Sequence, residues 1–390
     1  MILLTGALAL GAIPAAAILG ELLARRLLRV FGGYYRYRPY HRERLEIDRT
    51  ALPALDPVSR VRINCDGERG NPPPQKGEQA WRALVVGGSA AECYYLDQEQ
   101  TWPAVLERLL STPEALAHLG VPRVHIGNIA KAILPCEQIT LLLSRVFPRY
   151  GELDAIFVMV GASDAVRWLE KKTPATITAG AFSLSSIFEL HPEGPWGWSL
   201  KQTALWHLAS RLNTKLRQPE SVKKNNGDWL HRVRRMRAGA ETVLDELPDP
   251  APMLAHFDKY YREMLRLSQG KARRVIVVRQ PWFEKDFTPE EAALVWNFGV
   301  GRPYVEEVKT YASMKEAFRL LRLVDERARI INEEMGVEQL DLMPILERSQ
   351  RVYYDTLHFT PAGAKDVAAA VVGTVLAGTG KTPTTEPVGL

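Results

Sequence analysis

The chain has 390 residues, 46% of them hydrophobic and 24% charged, with a formal net charge of +5 and a pI near 9.0. It is long and apolar enough to bury the core of one large domain, which excludes a disordered or low-complexity chain. Cys65, Cys93 and Cys136 have no metal-ligand spacing and leave one thiol over however they pair, so they read as inert thiols rather than a disulfide framework.

From Ile2 to Gly20 no side chain is charged, and Leu, Ile, Ala and Gly dominate, close to the roughly 20 residues that cross a bilayer. Residues 1–24 are therefore expected to be a membrane anchor or signal segment. The Ala15-Ala16-Ala17 run would suit a cleaved signal, but no basic stretch precedes it and Glu21, Arg25, Arg26 and Arg29 follow directly, which favours an uncleaved anchor. Arg25, Arg26, Arg29, Arg36 and Arg38 all lie after the span, and the positive-inside tendency by itself argues for a cytoplasmic body. Residues 25–80 then read as a Pro-, Arg- and Tyr-rich juxtamembrane connector ending in Asn71-Pro72-Pro73-Pro74.

Regular alternation begins at residue 81 and runs to 380. Residues 83–86 form an apolar strand closed by Gly87-Gly88, and 101–110 a helix with Pro103 in its first turn. A second strand is predicted at 123–126, then a helix at 138–147 with Ile139, Leu142, Leu143 and Val146 on one face. Residues 155–160 are continuously apolar, as a strand buried on both faces requires, and 274–278 make a fourth strand stopped by Pro281. A long amphipathic helix at 310–335, a fifth strand at 337–342 and a helix at 361–376, capped by Thr360 with Pro361 at its first position, complete the series. The alternation predicts a three-layer α/β/α fold around a mostly parallel five-stranded sheet, with a site beyond the carboxyl ends of its strands. Ser89, Ser163 and His358 fall at such ends, and residues 381–390 read as a flexible tail.

Residues 165–272 interrupt the alternation and read as a helical insertion beside the site. They contain Trp168, Trp196, Trp198, Trp206 and Trp229, with Gly194-Pro195-Trp196-Gly197-Trp198 as a turn, and residues 201–240 hold ten Lys or Arg against Glu220 and Asp228. Apolar aromatics beside cations suit a lid or a membrane-surface face, and equally a helical elaboration with a solvated basic side. No base-reading fold accompanies the charges, so no nucleic-acid partner is expected. His191, His207 and His231 show no paired spacing and read as surface or packing residues.

Two short stretches carry chemistry. Val85-Val86-Gly87-Gly88-Ser89 puts a serine at a strand-to-helix turn, and Asp355-Thr356-Leu357-His358 puts a carboxylate three residues before an imidazole. Together they supply the nucleophile, base and orienting acid of a serine hydrolase, although a capping serine, a structural histidine and a turn-forming aspartate are plainer readings of each alone.

The surrounding residues extend the pattern: Glu21 to Arg25, then Arg62-Ile63-Asn64-Cys65-Asp66-Gly67-Glu68-Arg69-Gly70, then Gly87-Gly88-Ser89 with Thr101-Trp102-Pro103 downstream, and Phe359-Thr360-Pro361-Ala362-Gly363 after His358. In order and spacing the chain resembles the SGNH (GDSL-type) hydrolases, in particular their membrane-anchored bacterial members, over nearly everything after the first twenty residues. That resemblance implies Ser89 as nucleophile, His358 as general base, Asp355 as its orienter, and an acyl ester of carbohydrate or lipid as substrate, with no metal or organic cofactor. It also implies an extracytoplasmic body, against the charge argument. The oxyanion would be held by the backbone N–H of Ser89, a backbone N–H at Ile133 and a side chain at Ser163.

The chain departs from the family pattern at each of these motifs. Gly88 replaces the usual Asp before the nucleophile. Asn128 is followed five residues on by Ile133 rather than Gly, and Gly161-Ala162-Ser163-Asp164 has a hydroxyl where an amide donor is usual. Asp164 reads as a structural cap or as a catalytic group. The same motifs would serve a cell-envelope polysaccharide O-acetyltransferase, and the weakened oxyanion motifs leave room for a non-catalytic assembly or binding protein on the same fold.

Overall fold

The computed structural model describes residues 2–30, 33–181, 187–191, 203–218, 220–224 and 226–378, with side chains of the first helix described from 14 to 28. Trp196, Trp198, the turn at 194–198, the 381–390 tail and the side chains of the first thirteen residues lie outside the described residues. In chain order the elements open with α1 (Ile2–Val30), β1 (Arg42–Glu46), β2 (Val58–Arg62), β3 (Trp81–Gly87), α2 (Ser89–Glu92), α3 (Trp102–Leu110) and α4 (Pro113–Leu119). They continue with β4 (Val124–Asn128), α5 (Cys136–Val146), β5 (Leu153–Met159), α6 (Ala162–Glu170), α7 (Ala204–Arg217), β6 (Glu220–Lys223), α8 (Asn226–Ala238) and β7 (Thr242–Leu244). The remainder is α9 (Ala251–Gln269), β8 (Ala272–Arg279), α10 (Pro289–Ala292), β9 (Thr310–Ala312), α11 (Met314–Glu334), β10 (Glu338–Asp341) and α12 (Pro361–Leu376).

The central sheet has five strands in the order β10-β8-β5-β3-β4, and every neighbouring pair is parallel. The expected α/β/α fold is therefore present, with a sheet that is wholly rather than mostly parallel. Its strands are apolar on both faces because both are covered. Leu84, Val86, Ile156, Val158, Val275 and Val277 face a layer containing α5, α6, α9 and α11. Ala83, Val85, Phe157, Met159, Ile276 and Val278 face α3 and α12. From β3 the chain goes first to β4 on one side and then to β5 on the other, so the strand order reverses between β3 and β5. The carboxyl ends at that reversal form the crevice where such sheets hold their sites.

Some boundaries differ from the sequence expectation. The helix expected from residue 310 begins at Met314, where Ser313 caps the Glu316 N–H; Thr310–Ala312 pairs instead as β9 with β7. The helices flanking the 165–272 insertion belong to the covering layer: Trp168 of α6 is fully buried, and α9 contributes Phe257, Tyr261, Met264 and Leu265 to the core. Between them, Ile187 and Leu247 join the core on one face of the sheet and Leu230 and Val233 of α8 the core on the other.

Of residues 25–80, expected as a connector, the stretch 33–80 is built into the body. β1 and β2 pair antiparallel, β6 of the insertion adds to β1 in parallel, and Leu45, Leu52 and Leu55 are buried with the α3 layer. Two polar anchors fix this segment, one to the end of α2 and the turn after it and one to the sheet. The Arg69 guanidinium donates to the carbonyls of Glu92 (2.8 Å), Cys93 (2.9 Å) and Leu96 (2.6 Å). Glu68 Oε2 accepts from Asn64 Nδ2 at 2.8 Å and lies 3.0 Å from His125 Nε2 on β4, while Arg82 stands beside Oε1.

Burial alone would raise the Glu68 pKa, but the hydrogen bond and charge of His125, with Arg82, lower it from 4.5 to about 2. Because the folded value lies below the unfolded one, the stabilisation is complete above pH 4.5 and is lost as pH falls towards about 2. Glu68→Gln should thus cost about 3 kcal/mol at neutral pH and little near pH 2, measured by urea titration at both.

Candidate active site

Ser89 is placed by close backbone approach. A Cβ at Gly87 would sit 2.2 Å from the Met159 carbonyl of β5, so only glycine lets β3 and β5 come together at this turn. A Cβ at Gly88 would meet Ser163 Oγ at 2.7 Å, so Ser163 occupies the space that any side chain at residue 88 would need. Gly88 N–H donates to the Met159 carbonyl at 3.1 Å, and α2 starts directly at Ser89.

Ser89 Oγ lies 2.7 Å from His358 Nε2, and His358 Nδ1 lies 2.7 and 2.9 Å from the two Asp355 oxygens. With the carboxylate taking the Nδ1 proton, the Nε2 lone pair faces the serine hydroxyl. Asp355 is buried, and its oxygens also accept from the Leu357 N–H (2.8 Å), the His358 N–H (2.9 Å) and the Trp296 indole (3.0 Å). Burial opposes its ionisation, but the His358 charge and these hydrogen bonds hold its pKa below the usual 3.8. The imidazole stacks on Tyr354, ring centroids 5.5 Å apart, and the Tyr354 N–H donates to the His358 carbonyl at 3.0 Å. A three-residue spacing can therefore pair carboxylate and imidazole inside one tight loop.

The opposite wall holds the other residues singled out in the sequence. Ile133 lines the same cavity with a left-handed backbone, φ +64°. For a β-branched residue that conformation costs about 1–2 kcal/mol, so the loop is held from outside. Lys131 N–H donates to the Gly87 carbonyl (3.1 Å), Ala132 N–H to Glu92 Oε2 (2.7 Å), and Asn128 Nδ2 to the Ala91 carbonyl (2.8 Å). Glu92 is buried; burial would raise its pKa, but the Lys131 ammonium at 2.9 Å keeps it lowered. Among the described residues, the backbone N–H groups of Ser89 and Ile133 make no hydrogen bond to the protein, and both residues line the cavity.

Ser163, at the start of α6, lines the cavity beside Ser89. Asp164 points elsewhere: its oxygens accept from the Cys136 N–H at 3.1 and 3.2 Å and so cap α5, and burial raises its pKa to about 7. Of its two readings the geometry supports the cap. His191 and His207 lie with ring centroids 6.1 Å apart, His231 contacts Thr50 at 3.1 Å, and none of the three lines the cavity. The three cysteines are free thiols, and burial pushes Cys93 up to about 12.

The cavity beside Ser89 has a volume of about 220 Å³ and is walled by Tyr94, Tyr95, Ile133, Val166, Leu230, Trp229, Trp296, Phe298 and Leu357. Trp229 comes from the insertion and packs edge-on against Trp296, centroids 5.1 Å apart. Glu170 also lines the cavity, paired with Arg167 at 2.5 Å and raised in pKa by burial. Sequence reasoning missed Trp296, Glu92 and Glu170. Trp296 lies in irregular chain after β8, where no periodicity marks it, and Glu92 looks like any helix-surface acid until the loop at 130–134 folds over it.

If the Ile133 N–H rather than its side chain matters, Ile133→Gly should keep activity within about tenfold, and its relief of left-handed strain should offset the lost side chain to within about 1 kcal/mol. Ester kinetics with thermal melts check both.

No family model and no curated protein matches the chain. Similar solved structures include a lipolytic protein of the G-D-S-L family from Veillonella parvula, at 10% identity and TM-score 0.38, covering 75% of this chain and 96% of that one. An acetylxylan esterase from Geobacillus stearothermophilus is similar at 12% identity and TM-score 0.39, covering 76% and 93%. An alpha/beta hydrolase enzyme from the metagenome of Lake Arreo, Spain, is similar at 11% identity and TM-score 0.39, covering 76% and 94%.

Proposed function

We propose that the chain is a serine esterase of the SGNH type that hydrolyses acyl esters through a Ser89 acyl-enzyme. The observation that carries this is the unbroken hydrogen-bonded series Ser89–His358–Asp355 opening on an apolar cavity. His358 Nε2 takes the Ser89 proton as Oγ bonds to the ester carbonyl carbon, and Asp355 keeps the imidazole in the required tautomer and stabilises the imidazolium. The tetrahedral oxyanion is held by the N–H groups of Ser89 and Ile133 and by the Ser163 hydroxyl. Collapse breaks the ester C–O bond and His358 returns the proton to the leaving alcohol; water then attacks the acyl-enzyme by the same route.

The aromatic and aliphatic walls suit the acyl part of the substrate, and O-acyl groups of carbohydrate or lipid are the substrate class. The body is held extracytoplasmically by the segment at 1–24, on the family resemblance; among the described residues no helix is long and apolar enough to cross a membrane. Ser163→Ala should lower kcat by about 10²-fold with little change in stability, as loss of one oxyanion donor does.

A fluorophosphonate probe tests the reading: labelling of wild type and none of Ser89→Ala is expected, and folded wild-type protein that resists the probe would sink it. Offering the acyl-enzyme water and a glycan acceptor in parallel separates hydrolysis from O-acetyl transfer.

A further inference from the structure

α7 is built the wrong way round for a solvated helix. Leu205, Leu208, Leu212 and Leu216 follow one another at helical spacing on a single stripe, yet they are 42%, 40%, 58% and 75% exposed, with Trp206 at 44% beside them. Facing inward are Ala204 and Thr214. An ordinary surface helix buries its leucines and exposes its small polar residues.

α7 is also locked in place. Glu21 of α1, itself buried, accepts the Ala204 and Leu205 N–H groups at 2.7 and 3.0 Å, and Arg25 braces its Oε1 at 2.5 Å. Thr203 caps the Trp206 N–H at 3.1 Å, and the Arg211 guanidinium lies over the Tyr35 ring at 5.0 Å. Gly20 faces Leu205, whose Cδ1 an added Cβ would meet at 3.8 Å, and the stripe of α7 lies beside a second exposed apolar stripe on α1: Leu19 at 69%, Leu23 at 56% and Leu27 at 46%. The Glu21–Arg25 pair thus fastens two outward-facing apolar helices side by side.

We infer that the α1–α7 face docks on an anionic lipid surface, so that the body rests against the bilayer rather than swinging from a tether. Charge complementarity selects this occupant. Exposed Arg26, Lys215 and Arg217 flank the stripe, and α7 contains no Asp or Glu. A second copy of the chain, meeting this face about a twofold axis, would set those cations against their own images. Phospholipid headgroups pair with them while the leucines and Trp206 enter the acyl boundary, about 5–10 Å deep for such helices. The inference rests on the membrane association proposed above and shares Leu19 and Leu23 with the segment at 1–24, but its test is placed on α7, outside that segment, and does not depend on the chemistry of Ser89.

The test uses the full chain with Cys65→Ser and an environment-sensitive fluorophore at Leu212→Cys or, in a second protein, Leu216→Cys. Both positions are exposed enough to carry a label without refolding the helix. The protein is reconstituted at high lipid-to-protein ratio into phosphatidylglycerol–phosphatidylcholine vesicles. Lipid-embedded doxyl groups are expected to quench both labels several-fold more than aqueous iodide does. Floating protein whose labels are quenched by iodide and not by doxyl overturns the α7 inference while leaving membrane association intact. Labels shielded from both quenchers assign the face to a second copy instead. Failure of the chain to float with vesicles overturns both.

Discussion

Ser89→Ala is expected to lower kcat/KM for a short-chain p-nitrophenyl ester by roughly 10⁴- to 10⁶-fold, with a melting temperature close to that of wild type. The size follows from the reaction: without Oγ no acyl-enzyme forms, and what remains is positioning and oxyanion stabilisation of a direct attack by water. The unchanged stability follows from the surroundings. Among the described residues the Ser89 hydroxyl bonds only His358 Nε2, at 2.7 Å, and it makes no side-chain cap for α2. A parallel loss of activity and of folding would mean that Ser89 is structural, and a fall of less than about tenfold would remove it from the chemistry altogether.

Asp355→Asn should reduce kcat by about 10⁴-fold. The carboxylate accepts from four N–H groups, those of Leu357, His358, the His358 ring and Trp296. Oδ1 takes the two backbone N–H groups and Oδ2 the indole and, at 2.7 Å, the ring; an amide keeps its single oxygen on the two fixed backbone donors, so its NH₂ stands at the Oδ2 position, against the indole and facing the ring Nδ1. The imidazole is then driven to the tautomer with its proton on Nε2, facing Ser89, where it cannot act as base. The variant also changes acid stability. Because the folded Asp355 pKa lies below its unfolded 3.8, the wild-type contribution is present above that pH and lost as pH falls through the folded value. Asp355→Asn should therefore be less stable than wild type at neutral pH, with the gap closing in strong acid. Melts at several pH values beside kinetics at neutral pH read both effects.

The cavity wall formed by Ile133 and Ser163 shows how residues that break the sequence pattern fit one another. Gly88 and Ser163 are not independent departures: the Ser163 hydroxyl fills the space that a side chain at residue 88 would take. Ile133 lines the cavity in a left-handed conformation that usually selects glycine. Glu92, Lys131, Asn128 and Tyr37 supply the restraint, with Tyr37 OH 2.6 Å from the Ala130 carbonyl. Tyr37 belongs to the stretch that composition marked as a connector, and nothing in its spacing announces a partner more than ninety residues away.

By itself the sequence determined the parallel α/β/α scaffold, because apolar runs of strand length alternating with one-faced helices have few other ways to bury themselves. It also singled out Ser89, Asp355 and His358, because turn glycines and a three-residue spacing are local features. Only the tertiary structure decided what surrounds them: Trp296 on Asp355, Glu92 beneath the Ile133 loop, Trp229 of the insertion walling the cavity, and Glu21 joining α1 to α7. Each of these is a contact between residues far apart in the chain. Such a contact leaves no periodicity behind, since it is set by how packed layers and loops meet rather than by what neighbours a residue along the backbone.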